Sequence, residues 1–273
     1  MRSFCAGVAL LVVFGSTSVA PQNNAASSWR LTWSDEFNGA DGSSPDPAKW
    51  TFDVGGAGWG NKELESYTSR PMNVEQRSGN LVITALKEDY TGADGITQPY
   101  TSGRIKTRGL FAQAYGRFEA RMRLPVGKGI WPAFWMLGED IGAVGWPKAG
   151  EIDVMECIGD PLMIYSTLHG LGYNGAHAIS AKFAVPNGER VDSGFHEYAV
   201  EWAPNNIKFF FDDHLIAERT PADLPAGATW AYDHPFFLLL NVAVGGEWPG
   251  NPDATTAFPQ RMLVDYVRVY KRS

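Results

Sequence analysis

Phe236-Phe237-Leu238-Leu239-Leu240-Asn241-Val242-Ala243-Val244 is apolar at odd and even positions alike. Successive side chains of a strand point to opposite faces, so this run suits a strand covered on both sides. Around it the chain breaks into short segments of strand-like alternation or β-rich composition. These are Leu81-Val82-Ile83-Thr84-Ala85, Tyr115 to Met122, Tyr198-Ala199-Val200-Glu201-Trp202 and Ile207-Lys208-Phe209-Phe210-Phe211. Clusters of Gly, Pro, Asn and Asp bound them, and Asp212-Asp213-His214 reads as a hairpin turn. The last segment, Met262 to Tyr270, puts Leu263, Asp265, Val267 and Val269 on one face and Val264, Tyr266, Arg268 and Tyr270 on the other. Helical periodicity is nearly absent, which disfavours a barrel of alternating strands and helices. The expected fold is all-β, a two-sheet antiparallel β-sandwich of jelly-roll type. No repeat, heptad or linker-like break interrupts Trp29 to Tyr270, so residues 27–273 are expected to form one domain.

Composition narrows the function. Of 273 residues, 44% are hydrophobic and 19% charged, an ordinary globular balance. Aromatics reach 13%, with ten Trp, as suits a β-rich protein or a sugar-binding surface. The net charge of −7 argues against nucleic acid, which needs clustered Lys and Arg. It also suits a neutral polymer better than an acidic one. Arg2, the apolar stretch Ala6 to Phe14 and the small residues Ser16 to Ala20 read as an export signal with a leader over residues 1–26, cleaved near 20–26. The apolar stretch is too short for a membrane span of about 20 residues. A secreted or periplasmic protein with no membrane attachment after cleavage is expected. Cys5 falls in the signal, leaving Cys157 without a disulfide partner.

The chemistry concentrates in Gly150-Glu151-Ile152-Asp153-Val154-Met155-Glu156. Glu151 and Asp153 share a strand face, but Glu156 has the wrong parity. A one-residue β-bulge near Val154-Met155 would bring all three acids to one side. Retaining glycosidases flank the scissile bond with a carboxylate nucleophile and a carboxylic acid about 5–5.5 Å apart. With one residue taken up by the bulge, the Cα separation is about 13 Å, so the side chains must converge. Asp153 between them can hold their protonation states apart. Taken alone, such acids also suit a solvent-facing strand edge.

Glu151-Ile152-Asp153-Val154-Met155-Glu156 resembles the active-site signature of glycoside hydrolase family 16 in its longer form. Trp33-Ser34-Asp35-Glu36-Phe37, Gly58 to Glu65, Trp131-Pro132-Ala133-Phe134-Trp135-Met136-Leu137, Gly145-Trp146-Pro147, Asp233 to Phe236, Trp248-Pro249-Gly250 and Met262 to Tyr270 resemble the bacterial laminarinase branch in the same order. The resemblance runs from about Trp29 to Tyr270. It implies a concanavalin A-like sandwich with a concave substrate cleft and a monomeric endo-β-1,3-glucanase acting on β-glucan polysaccharide. It further implies Glu151 as nucleophile, Glu156 as acid/base and Asp153 as their electrostatic partner.

A polymer cleft needs flat aromatic faces and hydroxyl partners. Trp131 and Trp135 sit just upstream of the acids, Trp135 expected beside Glu151 and Trp131 at the rim. Asn61, Glu65, Arg104 and His169 resemble sugar-contacting positions, though Arg104 also suits a surface ion pair and His169 a satisfied core histidine. Trp59, Trp146 and Trp248 lie in Gly/Pro loops as cleft walls or loop anchors, which sequence does not separate. His177, His196, His214 and His234 show no zinc spacing, and no catalytic metal or cofactor is expected. By resemblance, a structural calcium would take backbone oxygens from Glu36 and Gly79 and the carboxylate of Asp265. The alternatives are mixed-linkage β-1,3-1,4-glucanase activity, transglycosylation, and a non-catalytic glucan-binding protein. The last is disfavoured because both glutamates are present.

Overall fold

The computed structural model describes residues 29–273, together with Met1; the export signal expected over residues 1–26 lies outside the described residues. Two sheets pack face to face. The first has seven strands in the order Ile179–Ala184, Met163–His169, Glu151–Glu156, Ile130–Gly138, Phe236–Val244, Arg104–Lys106 and Thr51–Phe52. The second has ten. Its main path runs His214–Arg219, Asn206–Phe211, His196–Ala203, Gly116–Arg123, Gln260–Arg272, Asn80–Thr91, Thr97–Ser102 and Glu65–Tyr67, with Trp29–Asp35 and Val74–Arg77 pairing at its side. Among the described pairings only Glu65–Tyr67 with Thr97–Ser102 is parallel. The expected all-β jelly-roll sandwich is therefore the fold, and the Asp212–Asp213 hairpin turn joins Phe211 to its cross-strand partner His214.

Phe236–Val244 is buried at all nine positions, for two different reasons. Phe236, Leu238, Leu240, Val242 and Val244 enter the main core between the sheets. Phe237 and Leu239 face outward, where they form a second apolar cluster with Leu137, Trp135, Ala112 and Ile141. The strand is thus the spine of the seven-stranded sheet, paired with Ile130–Gly138 along its whole length. The strand beyond it carries the acids.

Gln260–Arg272 departs from the regular alternation expected of it. Met262 and Val264 are buried, and so are Val267 and Val269. The inward parity switches because the register against Gly116–Arg123 shifts between Val264 and Tyr266. Asp265 is the extra residue of this bulge. An acid there leaves the core to the four apolar side chains.

The Trp33–Phe37 segment is structural. Asp35 accepts the buried Trp50 indole N–H at 2.8 Å and the Phe37 backbone N–H at 3.2 Å. Phe37, at φ 46°, is fully buried beside Trp50.

Candidate active site

Glu151 lies opposite Leu137, Asp153 opposite Trp135 and Glu156 opposite Ala133. These three partners alternate regularly along one strand, so they share a face, and the acids share it with them. The strand holding the acids does not alternate regularly. Its register shifts between Asp153 and Met155 on one side and between Asp153 and Glu156 on the other. Val154 and Met155 both turn into the main core, fully buried. The bulge lies at the pair of residues where the spacing of the acids requires it.

Burial sets the electrostatics. Asp153 is 3% exposed and Glu156 7%. Desolvation, then the neighbouring Asp153 charge, raises Glu151 to about 8. Desolvation likewise raises Asp153 to about 8 and lifts Glu156 well above the carboxylate range, with Asp153 and Glu151 adding repulsion. Repulsion among three acids this close opposes their simultaneous ionisation, so they titrate as a group. Their partners differ. Glu151 accepts the Trp146 indole N–H at 2.9 Å, with His169 and Arg104 adding favourable charge. Glu156 accepts the Trp131 indole N–H at 2.9 Å.

His169 faces the acids from the neighbouring strand, opposite Glu151. Its Nδ1 accepts the Gly175 N–H at 3.2 Å, so the neutral ring carries its proton on Nε2. Nε2 lies 3.1 Å from Asp153 Oδ2 and 3.7 Å from Glu151 Oε1. Glu151, Asp153 and His169 form one of two groups among the described residues that bring three potential metal-ligand atoms together; Glu189, His196 and Asp212 form the other. Protonated at Nε2, His169 turns its N–H side toward the acids at ion-pair distance, while Asp153 Oδ2 has no hydrogen-bond partner among the described residues.

The expected sugar-contacting residues gather on the same face, with one exception. Trp131 meets Trp248 edge-on at 5.5 Å, and Trp248 meets Tyr165 at 5.0 Å. Trp135 stands beside Asp153, with the Arg104 guanidinium 4.8 Å from its ring centroid. Trp59 covers Arg104 at 4.9 Å, and Asp53 Oδ2 lies 2.9 Å from Arg104 Nε. Arg104 is therefore a clamped member of the site rather than a free surface ion pair. Asn61 is exposed and donates to Glu63 at 3.0 Å. Glu65 is the exception. It is fully buried, with Oε2 accepting the Val244 N–H at 2.7 Å. A sugar hydroxyl has no path to it, so its expected contact role is corrected to that of a buried acceptor at the end of the strand Phe236–Val244.

Trp59, Trp146 and Trp248, left open by sequence, all border the acid face. Trp146 and Trp248 are 50% and 42% exposed, as cleft walls would be. Their signal in the sequence is an aromatic in a Gly/Pro loop near the acids in the fold, and only for Trp146 does chain proximity reveal it. Asp53, Glu63, Tyr67 and Asn241 behind these groups carry no local signal.

The positions expected to hold calcium flank one gap in the strand pairing of the ten-stranded sheet. Leu81–Ala85 pairs with Gln260–Val264, and Trp29–Asp35 pairs with Val267–Arg272. The gap between the two pairings holds Asp265, with Gly79 in the turn at one end and Glu36 just past the other. Two backbone carbonyls and a carboxylate are hard oxygen donors suited to calcium. In the structure Arg121 Nη1 neutralises Asp265 at 2.6 Å, and the Glu36 side chain is held by Arg268.

Comparison with known proteins gives a consistent result. Residues 61–268 match the model of the glycosyl hydrolases family 16. A beta-glucanase of Rhodothermus marinus is 42% identical over 96% of this chain and 92% of its own length. The laminarinase catalytic domain of Thermotoga maritima MSB8 superposes with a TM-score of 0.85 at 46% identity, covering 90% of this chain and 99% of that one. An endo-beta-1,3-glucanase of Pyrococcus furiosus gives the same TM-score and identity, covering 90% and 95%.

Proposed function

The chain belongs to glycosyl hydrolase family 16 and is a glycoside hydrolase; from that premise we propose that it hydrolyses internal β-1,3-glucosidic bonds of β-glucans with retention. Glu156 protonates the leaving glycosidic oxygen while the Glu151 carboxylate attacks the anomeric carbon. The resulting glycosyl ester on Glu151 is then cleaved by water from which Glu156 takes a proton. Asp153 serves as electrostatic partner to both. The observation that carries this reading is the bulge at Val154-Met155, which aligns all three acids beside Trp131, Trp135 and Trp146. The charge environment supports the order of roles. Glu151 is flanked by more groups favouring its anion, so it ionises ahead of Glu156, which keeps its proton for the leaving oxygen.

Asn61, Arg104, Trp131, Trp135 and His169 would line the glucan path, with neutral polysaccharide as the partner and a monomer as the working unit. Glu36, Gly79 and Asp265 would hold a structural calcium, which would brace the ten-stranded sheet and take no part in bond cleavage. Residues 1–26 would direct export and be removed. The N-terminal sequence of protein recovered outside the cytoplasm tests this, since an intact Met1 would contradict cleavage.

The functional test is product analysis on laminarin, barley mixed-linkage glucan and cellulose side by side. Release of oligosaccharides from laminarin with retained β-configuration is expected. Glu151→Gln and Glu156→Gln should each lower turnover at least about a thousand-fold. Inversion at the anomeric carbon, or near-wild-type activity in either variant, would overturn the assignment.

A further inference from the structure

Behind the acid face, Glu63 ties two separate parts of the expected glucan path to one buried carboxylate. It is 5% exposed, and each of its oxygens accepts a hydrogen bond. Oε1 takes the Asn61 Nδ2–H at 3.0 Å, and Oε2 takes the Tyr67 hydroxyl at 3.0 Å. The Tyr67 oxygen in turn accepts from Asn241 Nδ2 at 3.1 Å. That contact turns the Asn241 amide so that its oxygen points the other way, where Oδ1 accepts the Trp135 indole N–H at 2.7 Å. Trp135 stands opposite Asp153. The chain therefore runs from a buried acid, through a tyrosine and an amide, to the aromatic ring next to the catalytic cluster.

Donor and acceptor roles are forced at every step. Burial, with repulsion from Glu63 and Glu65, holds the Tyr67 hydroxyl protonated, so it can only donate toward Glu63. An indole offers one N–H and no acceptor, so Asn241 must present its oxygen to Trp135. Only a carboxylate accepts from both Asn61 and Tyr67; an amide at position 63 satisfies one and turns a donor toward the other.

We propose that Glu63 is a positioning residue for glucan binding, setting Asn61 directly and Trp135 through Tyr67 and Asn241. Tyr67 and Asn241 transmit the orientation and touch no substrate. The inference rests on reading Asn61 and Trp135 as glucan contacts, and goes beyond it by naming what holds them.

A double-mutant cycle on the full chain tests it, on whichever β-glucan the wild type cleaves, so failure on laminarin counts against the linkage assignment alone. Tyr67→Phe should lower kcat/KM about ten-fold while the far-UV spectrum and cooperative melting are retained. In a Trp135→Phe background, which already lacks the indole N–H, the same change should cost less than about two-fold. Asn241→Leu cuts the chain at its other link and should show the same non-additivity, which covers the case of a poorly folded Tyr67 variant. Glu63→Gln should be non-additive with Asn61→Ala or with Trp135→Phe, according to which donor the amide oxygen accepts. Equal effects of Tyr67→Phe and of Asn241→Leu in both backgrounds would overturn the proposal. So would unchanged kinetics in Glu63→Gln.

Discussion

Glu156 is buried and Glu151 half-buried, both are raised, and their neighbours differ. His169 favours both anions; Trp146 and Arg104 add to it at Glu151, while Glu156 has Trp131 and is opposed by Asp153 and Glu151. Asp153 raises both. Removing its charge in Asp153→Asn should therefore move both limbs of the pH profile of kcat/KM to lower pH, with activity reduced. A shift of either limb to higher pH would contradict this electrostatic role. Glu156 also sets a stability signature. Its folded-state pKa lies above that of the unfolded chain, so the folded protein holds a proton that the unfolded chain releases. Stability from this group is full at acid pH and is lost as pH rises from the ordinary carboxylate range through the folded value. Glu156→Gln abolishes that loss. Its Tm should exceed the wild type increasingly as pH rises, by roughly 2–4 °C for each kcal/mol removed; a gap that narrows with rising pH would exclude this origin.

At the scale of elements, the acid strand depends on how it is entered. Gly150 sits at φ +72°, immediately before Glu151, where an L side chain is strained. A Cβ there would meet the Ala231 carbonyl oxygen at 2.9 Å and Phe236 at 3.0 Å. Gly150→Ala should lower Tm by about 3–10 °C and kcat/KM about ten-fold, because relief of the clash displaces Glu151 from Trp146. Melting and kinetics equal to wild type would show that the entry tolerates a side chain. Two bulges serve the two sheets differently. The one at Val154-Met155 turns two apolar residues inward and keeps three acids outward. The one at Asp265 turns an acid out of a strand whose Met262, Val264, Val267 and Val269 fill the core. The first was legible because acids at 151, 153 and 156 conflict with a period of two. The second was missed because Leu263-Val264-Asp265-Tyr266-Val267 satisfies that period on paper.

For the whole molecule, the sandwich divides its labour between its sheets. The seven-stranded sheet turns its outer face to the chemistry, while the ten-stranded sheet joins both ends of the described chain through Trp29–Asp35 and Gln260–Arg272. A calcium ion at Glu36, Gly79 and Asp265 would sit where three segments of that second sheet meet, so its effect should be on global stability. Tm should rise in millimolar calcium over a chelator, and the rise should vanish in Asp265→Asn with kcat unchanged at low temperature. Equal melting with calcium and with chelator would remove calcium from the description.

The sequence by itself determined the fold class, the strand of Phe236–Val244, the acid cluster with its bulge, and the aromatics Trp131 and Trp135. Each of these is written in local periodicity, or in the spacing of costly residue types that a strand does not hold together without use. Tertiary structure alone decided that Glu65 is a buried acceptor, that Trp146 and Trp248 border the acid face, and that Asp53, Glu63, Tyr67 and Asn241 stand behind it. Tyr67 and Asn241 bond across 174 positions of chain. A buried polar group is explained by its hydrogen-bond partner, and a partner so distant in sequence leaves no mark on the residues around it.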